Sequence, residues 1–310
     1  MDLKITGKTI AKLRRTAGFT QASLAEKLGI SDKAVSKWER GIACPDVSLW
    51  NKLSILLDTD IESLIYGHDG RNEWKGMLVL DEGISCDTII FNKPLIHYLL
   101  SQFLLVGIND ITIIGECTPP SLPGVKINDI DSISKVNHWF TNPTFLIYGN
   151  SFLYGPNLTK HFKRAMSRTD GITIISSMKR NGFYPIEVDE NRKAKLSDKL
   201  VPNQYYAEPF AFVPANGSYR KYAGFEDILK YNNLNAETMV RGMMSFNISS
   251  YEDAFRLSDF VKMMEELTGE RIGCVEEILL RRSMAEYDDI AGLCDKDTRR
   301  YLEELFQFYI

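Results

Sequence analysis

Apolar residues between positions 18 and 41 recur every three or four residues, which is the spacing of two short helices that share a core. Thr20 and Ser31 precede the two apolar runs as helix-capping residues, and Gly29 and Ile30 supply a tight turn between them. The pattern therefore predicts a helix-turn-helix. Its inward positions are Leu24, Ala25, Leu28, Ala34, Val35 and Trp38. Its outward positions on the second helix are Asp32, Lys33, Ser36 and Lys37.

Helical spacing continues on both sides of this motif, over residues 6–17, 48–57 and 60–66. The apolar positions of these three segments are placed to close one small core. They are Ile10, Leu13, Leu49, Leu53, Leu56, Ile61 and Leu64. We therefore predict an all-α domain over residues 1–67, followed by a glycine-bearing polar linker over residues 68–74.

Beyond residue 75 the pattern changes to short apolar runs bounded by Gly, Pro or Asn, which are typical of buried strands. Helical patterns lie between and after these runs, and Asn157 is a suitable cap for one of the helices. The alternation predicts a three-layer α/β domain with a mostly parallel sheet over residues 75–310. The predicted strands cover residues 77–80, 111–114, 145–148, 172–176 and 210–213. The predicted helices cover residues 94–106, 157–168, 251–267, 275–287 and 296–309.

Charge is distributed unevenly between the two predicted domains. The whole chain of 310 residues carries a net charge of −4, whereas residues 1–40 hold nine Lys and Arg residues against four acidic ones. A local excess of positive charge attracts a phosphate backbone. The basic footprint therefore belongs to the helix-turn-helix domain alone.

Cysteine usage and hydropathy bear on the compartment. The five cysteines are odd in number and have no metal-ligand spacing, which predicts reduced thiols and no zinc site. The sequence contains no signal peptide and no membrane-spanning run, so we predict a cytoplasmic protein without a membrane partner. The cysteines are Cys44, Cys86, Cys117, Cys274 and Cys294.

The motif at residues 18–41 resembles the DNA-binding helix-turn-helix of phage-repressor-like proteins (lambda repressor and Cro type, the XRE family). The resemblance rests on Gln21, Ala25, Gly29, Val35 and the ending Trp38-Glu39-Arg40-Gly41, which stand at the family's spacing. It implies double-stranded DNA as the partner, with the start of the second helix in the major groove. The residues that it places at DNA are Gln21, Ser31, Asp32, Lys33, Ser36, Lys37 and Arg40.

Side-chain chemistry divides these residues between base readout and backbone contacts. Lys33 and Lys37 suit guanine acceptors and Asp32 suits a cytosine amino group, whereas Gln21 and Arg40 are expected to hold phosphates. A solvated helix face is the alternative, but the caps, the turn and the core spacing all agree with the motif. Because such domains usually pair across two half-sites, we also expect a homodimer. The apolar residues at 301–310 are candidates for a subunit contact or for closing the core.

Residues 75–310 resemble sugar-1-phosphate nucleotidyltransferases of the glucose-1-phosphate thymidylyltransferase type, which implies a Rossmann-like fold of the nucleotide-diphospho-sugar transferase kind. Residues 146–155 stand where that family carries Leu-Gly-Asp-Asn-x-x-Tyr-Gly. The other landmarks follow in the family's order at residues 75–80, 92–96, 106–111, 180–182, 197–199, 241–242 and 274–278.

The chemistry of this second region departs from the family it resembles. The family needs a glycine-rich loop with an arginine after the first strand, because backbone N–H groups and positive charge cradle the phosphates. The loop here is Asp81-Glu82-Gly83-Ile84-Ser85-Cys86, and no segment with a catalytic lysine precedes Asn92. Asn150 and Asn247 stand at the two positions where the family carries its magnesium-binding carboxylates, and an amide carries no net charge. We interpret the region as a pseudoenzyme with no catalytic residue, no metal and no cofactor.

Two hypotheses of different classes follow, with a third beside them. The first is a sequence-specific transcriptional regulator whose larger domain serves dimerisation or senses a sugar phosphate or nucleotide-sugar, with Lys199 and Arg241 as candidate ligand contacts. The alternative is an active nucleotidyltransferase that carries a DNA-binding domain, with Asp81, Glu82 or Asp87 holding the metal. The third is a phage or toxin-antitoxin repressor without a ligand.

Overall fold

The structure, a computed structural model, describes residues 3–57, 59, 61–66, 74–131, 142–178, 184–197, 204–215, 224–282 and 284–307. The chain divides into two compact units, Met1–Asn72 and Glu73–Ile310, called here the N-terminal unit and the body. Most of the predicted linker at 68–74 lies outside the described residues.

The N-terminal unit contains five α-helices among its described residues, and all five were predicted from the spacing of apolar positions. The buried residues Leu24, Ala25, Leu28, Val35 and Trp38 confirm the inward faces of the central two helices. The helices are α1 (Leu3–Thr16), α2 (Gln21–Leu28), α3 (Asp32–Glu39), α4 (Trp50–Leu56) and α5 (Ile61–Tyr66), with a 3-10 turn at Val47–Leu49.

Local hydrogen bonds fix the boundaries of α2 and α3. The Thr20 hydroxyl accepts from the backbone N–H of Ser23, whose own hydroxyl accepts from the Thr20 N–H, so a capping box opens α2. The Ser31 hydroxyl accepts from the N–H of Ala34 and caps α3. Gly29 ends α2 with a φ of 72°, a left-handed conformation that glycine adopts without strain. The predicted caps and turn are therefore confirmed.

Helix α1 lies close against the end of α3 because glycine occupies the point of contact. A Cβ at Gly7 would overlap the carbonyl oxygen of Trp38 and stand 3.0 Å from that of Glu39. Gly41, with a φ of 68°, approaches the Cα of Lys4 in the same way, because its own Cβ would lie 3.0 Å from that atom. The position of α3 thus depends on backbone-to-backbone packing.

Gly7→Ala is expected to destabilise the N-terminal unit by about 1–3 kcal/mol, because the added methyl group would push α1 away from α3. Helix propensity alone predicts the opposite, a gain of about 1 kcal/mol. Chemical denaturation of the full chain checks the sign. Gly292→Ala is the control: there φ is −72° and a Cβ would meet no atom within 4 Å, so no loss is expected. A Gly7→Ala protein as stable as the parent would refute the close packing.

The body is built on a nine-stranded sheet. Its strands are β1 (Lys75–Val79), β4 (Asp110–Ile114), β5 (Lys126–Ile130), β6 (Thr144–Tyr148), β8 (Ile172–Ser177), β9 (Tyr184–Val188), β10 (Lys193–Leu196), β11 (Tyr205–Val213) and β12 (Leu234–Thr238). They lie in the order β5-β4-β1-β6-β11-β8-β12-β10-β9. Two short ribbons pair β2 (Ile89–Ile90) with β3 (Lys93–Pro94), and β7 (Ser151–Tyr154) with β13 (Met244–Asn247).

The sheet is mixed, so the prediction of a mostly parallel sheet is not confirmed. Among the described strands of this sheet, four pairings are parallel and five are antiparallel. The physical reason is β11, which runs antiparallel between β6 and β8 and also pairs with β9. Strands β11, β8, β12, β10 and β9 therefore close into a barrel-like ring, because β9 pairs with both β10 and β11.

Each face of the sheet contributes to a separate hydrophobic core. One core joins Leu78 and Phe145 to the helices that follow the strands, and the other joins Leu146 and Ala211 to the closed part of the sheet and to a short helix. The helices of the body are α6 (Leu95–Leu104), α7 (Leu158–Ser167), α8 (Phe225–Leu229), α9 (Tyr251–Thr268), α10 (Val275–Arg281), α11 (Tyr287–Ala291) and α12 (Lys296–Gln307).

Two local predictions differ from the structure. Asn157 stands at the start of α7 but makes no capping hydrogen bond through its side chain, because its backbone is left-handed with a φ of 58°. The helix predicted over residues 275–287 is interrupted after Arg281, and a separate helix begins at Tyr287. In α12, Leu302 is fully buried in the core of the body, whereas residues 308–310 lie outside the described part.

Candidate functional site

The outer face of α3 presents the side chains that were predicted to meet bases. Asp32, Lys33 and Lys37 are exposed and Ser36 is half-buried. The Asp32 carboxylate accepts from the N–H of Lys33 at 2.8 Å, which holds it at the positive end of the helix. The exposed side chains on this face thus leave polar hydrogen-bonding groups and two positive charges available for a partner.

The remaining predicted DNA contacts have structural partners within the unit. Ser31 caps α3, and the Arg40 side chain donates through Nε to the carbonyl oxygen of Ser36 at 3.2 Å. The side-chain amide of Gln21 donates to Oε2 of Glu39 at 2.7 Å. Gln21 therefore ties the start of α2 to the end of α3, and its contact with phosphate stays a prediction.

A buried ion pair that sequence reasoning missed holds the helix-turn-helix together. The Arg14 guanidinium, at the end of α1, donates to both oxygens of the Glu39 carboxylate, at 2.5 and 3.1 Å. It also donates to the carbonyl oxygen of Phe19 at 2.6 Å. The side chains of Arg14 and Glu39 are only 9% and 7% exposed, so this pair is removed from water. Together with Gln21 it joins α1, α2 and α3 in one network.

Burial alone would raise the pKa of the Glu39 carboxyl, but hydrogen bonds from Arg14 and Gln21 and the charge of Arg14 outweigh it and lower the pKa. A carboxyl whose pKa is lower in the folded state contributes stability above its unfolded pKa, about 4.3. We expect the N-terminal unit to lose that stability as the pH falls through the folded value. Thermal unfolding measured between neutral and acid pH checks this expectation, and Glu39→Gln should flatten the dependence.

The loop that follows β1 is packed against the body. Ile84 and Cys86 are buried in the core, whereas Asp81 and Glu82 are exposed. Gly83 lies so close to the segment between β13 and α9 that a Cβ there would stand 2.5 Å from the carbonyl oxygen of Ser249. The loop is therefore filled with apolar side chains on one side and carries two carboxylates on the other, and both features oppose phosphate binding.

The two positions that resemble magnesium ligands are brought together by the ribbon of β7 and β13. Asn150 is fully buried, and its side-chain amide donates to the carbonyl oxygen of Ile84 at 3.2 Å. The Asn247 side-chain oxygen accepts from the Ser151 hydroxyl at 3.3 Å. Asn150 thus anchors the loop through its side-chain N–H group, while its buried side-chain oxygen accepts no hydrogen bond from any described residue.

The donor set of this region does not fit a divalent cation. Magnesium sites use one or two carboxylates, and here both positions are amides. Within the part of the chain that the structure describes, no group of three or more His, Cys, Asp or Glu side chains is placed to hold a metal. The alternative carboxylates Asp81, Glu82 and Asp87 are all exposed.

Of the two candidate ligand contacts, Arg241 is exposed on the turn before β13, and Lys199 lies outside the described residues. The structure also places a buried carboxylate near β13 that was not predicted from the sequence. Glu208, in β11, accepts from the hydroxyl of Ser177 and from the hydroxyl of Ser245, the latter at 2.6 Å. The signal for it in the sequence is a lone Glu inside an otherwise apolar strand, which has to find partners when it is buried.

A cavity of about 630 Å³ opens elsewhere on the body, at the ends of α9 and α12. Its lining is dominated by carboxylates, which makes it unsuited to a phosphate ligand. None of the predicted site residues lines it. The lining residues are Phe91, Asn92, Glu265, Glu266, Gly269, Glu270, Arg271, Asp295, Lys296 and Asp297.

The prediction that all five cysteines are free thiols is wrong for one pair. Cys86 and Cys117 form a disulfide, with 5.8 Å between their Cα atoms. Sequence spacing did not reveal it, because the two residues follow neighbouring strands that are separated along the chain. Cys44, Cys274 and Cys294 are not part of a disulfide. No helix among the described residues is long and apolar enough to cross a membrane.

Comparison with known proteins identifies both regions. A helix-turn-helix profile, HTH_3, matches residues 10–64. The glucose-1-phosphate thymidylyltransferase of Mycolicibacterium smegmatis is 24% identical over 242 residues, which cover 65% of this chain and 83% of that enzyme. The enzyme of the same name from Neisseria meningitidis serogroup A is 23% identical over 236 residues, which cover 62% of this chain and 80% of that enzyme.

Among solved structures, a Bacillus anthracis protein in complex with sucrose matches with a TM-score of 0.45 at 12% identity, covering 60% of this chain and 94% of its own. HddC from Yersinia pseudotuberculosis matches with a TM-score of 0.43 at 12% identity, covering 60% of this chain and 98% of its own. The profile match and the sequence similarity to the two enzymes show that the chain joins an XRE-type helix-turn-helix domain, at residues 10–64, to a glucose-1-phosphate thymidylyltransferase-like region that covers most of the rest.

Proposed function

We propose that this protein is a sequence-specific DNA-binding transcriptional regulator. The observation that carries the proposal is the outer face of α3, where Asp32, Lys33 and Lys37 are exposed on a helix that is capped, buried on its other face and tied to α1 and α2. A rigid helix of this kind is what a major groove admits. The match of residues 10–64 to a helix-turn-helix profile supports the same function.

Lys33→Ala is expected to weaken binding to the preferred DNA site by about 1–3 kcal/mol and to relax the base preference at one position. The reason is the loss of a donor to base acceptors at the start of α3. Fluorescence anisotropy with the preferred duplex and its single-base variants measures both effects.

Lys52→Ala is the matched control for Lys33→Ala, because Lys52 is an exposed lysine of the same unit but lies on α4. It should leave the base preference unchanged. If Lys33→Ala keeps the parent's affinity and base preference, Lys33 is not a base-reading residue.

We further propose that the protein binds DNA as a homodimer, because paired half-sites require two copies of α3. Among the apolar residues at 301–310, Leu302 is fully buried in the core of the body and Tyr301 packs against that core, so the remaining ones are the proposed subunit contact. One chain has a mass of 35.3 kDa, and sedimentation equilibrium of the full chain should give twice that mass. A mass of one chain at micromolar concentration would contradict the dimer.

The body, on this proposal, is a nucleotidyltransferase-like domain that has lost catalysis and senses a ligand or supports the dimer. The packed loop at 81–86 and the amides Asn150 and Asn247 support the loss of catalysis. A thermal-shift screen with sugar phosphates and nucleotide-sugars tests the sensor role, because a ligand of the folded state raises the melting temperature. Arg241→Ala should abolish such a shift if Arg241 contacts the ligand.

The second candidate function is an active sugar-1-phosphate nucleotidyltransferase that carries its own DNA-binding domain. The similarity to curated thymidylyltransferases over 65% of the chain favours it. Pyrophosphate release from a nucleoside triphosphate and a sugar phosphate, lost in Asp81→Ala, would establish this activity and overturn the pseudoenzyme proposal. We expect no release above background.

A further inference from the structure

The disulfide joins two loops that leave the same edge of the sheet. Strands β1 and β4 are parallel neighbours, and Val79 at the end of β1 pairs with Ile114 at the end of β4. Cys86 lies in the loop after β1 and is 1% exposed, whereas Cys117 lies in the loop after β4 and is half-buried. The bond therefore spans the carboxyl ends of two adjacent strands, where ligands of α/β proteins usually bind.

Three of the attachments that the loop after β1 makes lie at Gly83, Ile84 and Cys86, and one of these three differs chemically from the other two. The Asn150 amide holds the carbonyl oxygen of Ile84, and Gly83 packs against the backbone of Ser249. These two attachments do not depend on oxidation state. The third, the bond from Cys86 to Cys117, is made or broken by the thiol chemistry of the surroundings.

We propose that Cys86 and Cys117 are an oxidation site, a reversible thiol–disulfide pair that fastens the loop after β1 to the loop after β4. The oxidant is a peroxide. The Cys117 sulfur, the more exposed of the two, attacks one peroxide oxygen, the O–O bond breaks, and sulfenic acid and water form. The Cys86 sulfur then attacks the sulfenic sulfur, the S–S bond forms, and the hydroxyl group leaves as a second water. Two thiols lose two electrons and two protons in total, and hydrogen peroxide becomes two waters.

The other cysteines are poorly suited to the first step, the attack of a thiolate on the peroxide. Burial raises the pKa of the Cys274 thiol to about 12 and that of the Cys294 thiol to about 11, so neither supplies much of the reactive thiolate near neutral pH. Burial also raises the pKa of Cys44. Cys44, Cys274 and Cys294 form no disulfide, so the geometry selects Cys86 and Cys117 as the pair.

The test uses the full-length protein, reduced and then treated with hydrogen peroxide. Thiol titration in denaturant should count five free thiols before treatment and three after it, and a reducing agent should restore all five. A non-reduced digest should contain one cross-linked pair of peptides, carrying Cys86 and Cys117. Oxidation should also raise the melting temperature of the body, since a cross-link restricts the unfolded chain.

Cys117→Ser is the deciding variant, because a half-buried position tolerates serine better than the buried position of Cys86. It should keep all its thiols under the same treatment, and its melting temperature should not respond. Cys294→Ser, the control, should still lose two thiols. Five thiols in the treated parent, a different linked pair, or the same thiol loss in Cys117→Ser would overturn the proposal. No DNA is needed, so the outcome is separate from that of the proposed function.

Discussion

Arg14→Met should destabilise the N-terminal unit by about 3–5 kcal/mol. The substitution keeps most of the aliphatic length of the side chain but leaves the Glu39 carboxylate buried with only the Gln21 amide as a partner. A buried charge without its counter-ion loses its hydration and gains nothing in return. Domains have total stabilities of about 5–15 kcal/mol, so a loss of this size removes most of what a small helical unit has.

Hydrogen exchange followed by mass spectrometry measures this loss locally, because peptides from residues 3–57 report on the N-terminal unit and later peptides report on the body. Exchange should accelerate only in the first group. Arg15→Met is the matched control, since Arg15 is the adjacent arginine of α1 and is exposed. It should exchange like the parent protein. Unchanged exchange in Arg14→Met would show that the ion pair does not hold α1, α2 and α3 together.

Asn150→Asp should destabilise the body by about 3 kcal/mol or more instead of restoring a metal site. The Asn150 amide donates a hydrogen bond to the Ile84 carbonyl oxygen, and an ionised carboxylate cannot donate one. The substitution would therefore bury a negative charge against a carbonyl oxygen at a position with no exposure to water. The melting temperature should fall and should not rise when magnesium is added.

Asn247→Asp provides the comparison, because the Asn247 side chain acts as an acceptor for the Ser151 hydroxyl and aspartate keeps that role. It should cost much less stability than Asn150→Asp. If magnesium instead stabilises Asn150→Asp, the site retains the geometry of a metal centre, and the interpretation of Asn150 as a purely structural residue fails.

The helix-turn-helix was predictable from sequence because its determinants are local. Thr20, Ser31 and Gly29 act within four residues of their own positions, and the apolar spacing depends only on helix geometry. The Arg14–Glu39 pair was not predictable in this way, because it joins positions 25 residues apart in sequence. The close contact at Gly7 was missed for the same reason, although a glycine in a helix interior is itself a signal of close packing.

In the body, the fully buried strands were predictable because both faces of the sheet are covered, which gives continuous apolar runs. The direction of each strand in the sheet was not predictable, because an apolar run does not indicate direction. Strands β9 and β10 were missed although residues 189–192 form a polar turn between them, with the Asp189 carboxylate accepting from the N–H of Lys193. That turn was the available signal for an antiparallel hairpin, and so for a mixed sheet.

At the compared site of the body, the residue types were readable from the sequence, but the contacts that these residues make were not. Comparison of residue types showed that Asp81, Glu82, Asn150 and Asn247 depart from phosphate and magnesium chemistry. The new role of Asn150 as an anchor for the loop, and the bond between Cys86 and Cys117, depend on which strands are neighbours in the sheet. The order of the strands in the sheet decides which of these residues meet, and the pattern of apolar runs did not predict that order.

The most direct test of the central claim, that α3 reads a specific DNA sequence, is selection of genomic fragments by the purified full-length protein, followed by sequencing of the bound pool. We predict enrichment of one recurrent sequence, its loss in the double variant Lys33→Ala, Lys37→Ala, and its retention in Lys52→Ala. A pool from the folded parent protein that does not differ from the input, or the same enrichment in the double variant, would contradict the account.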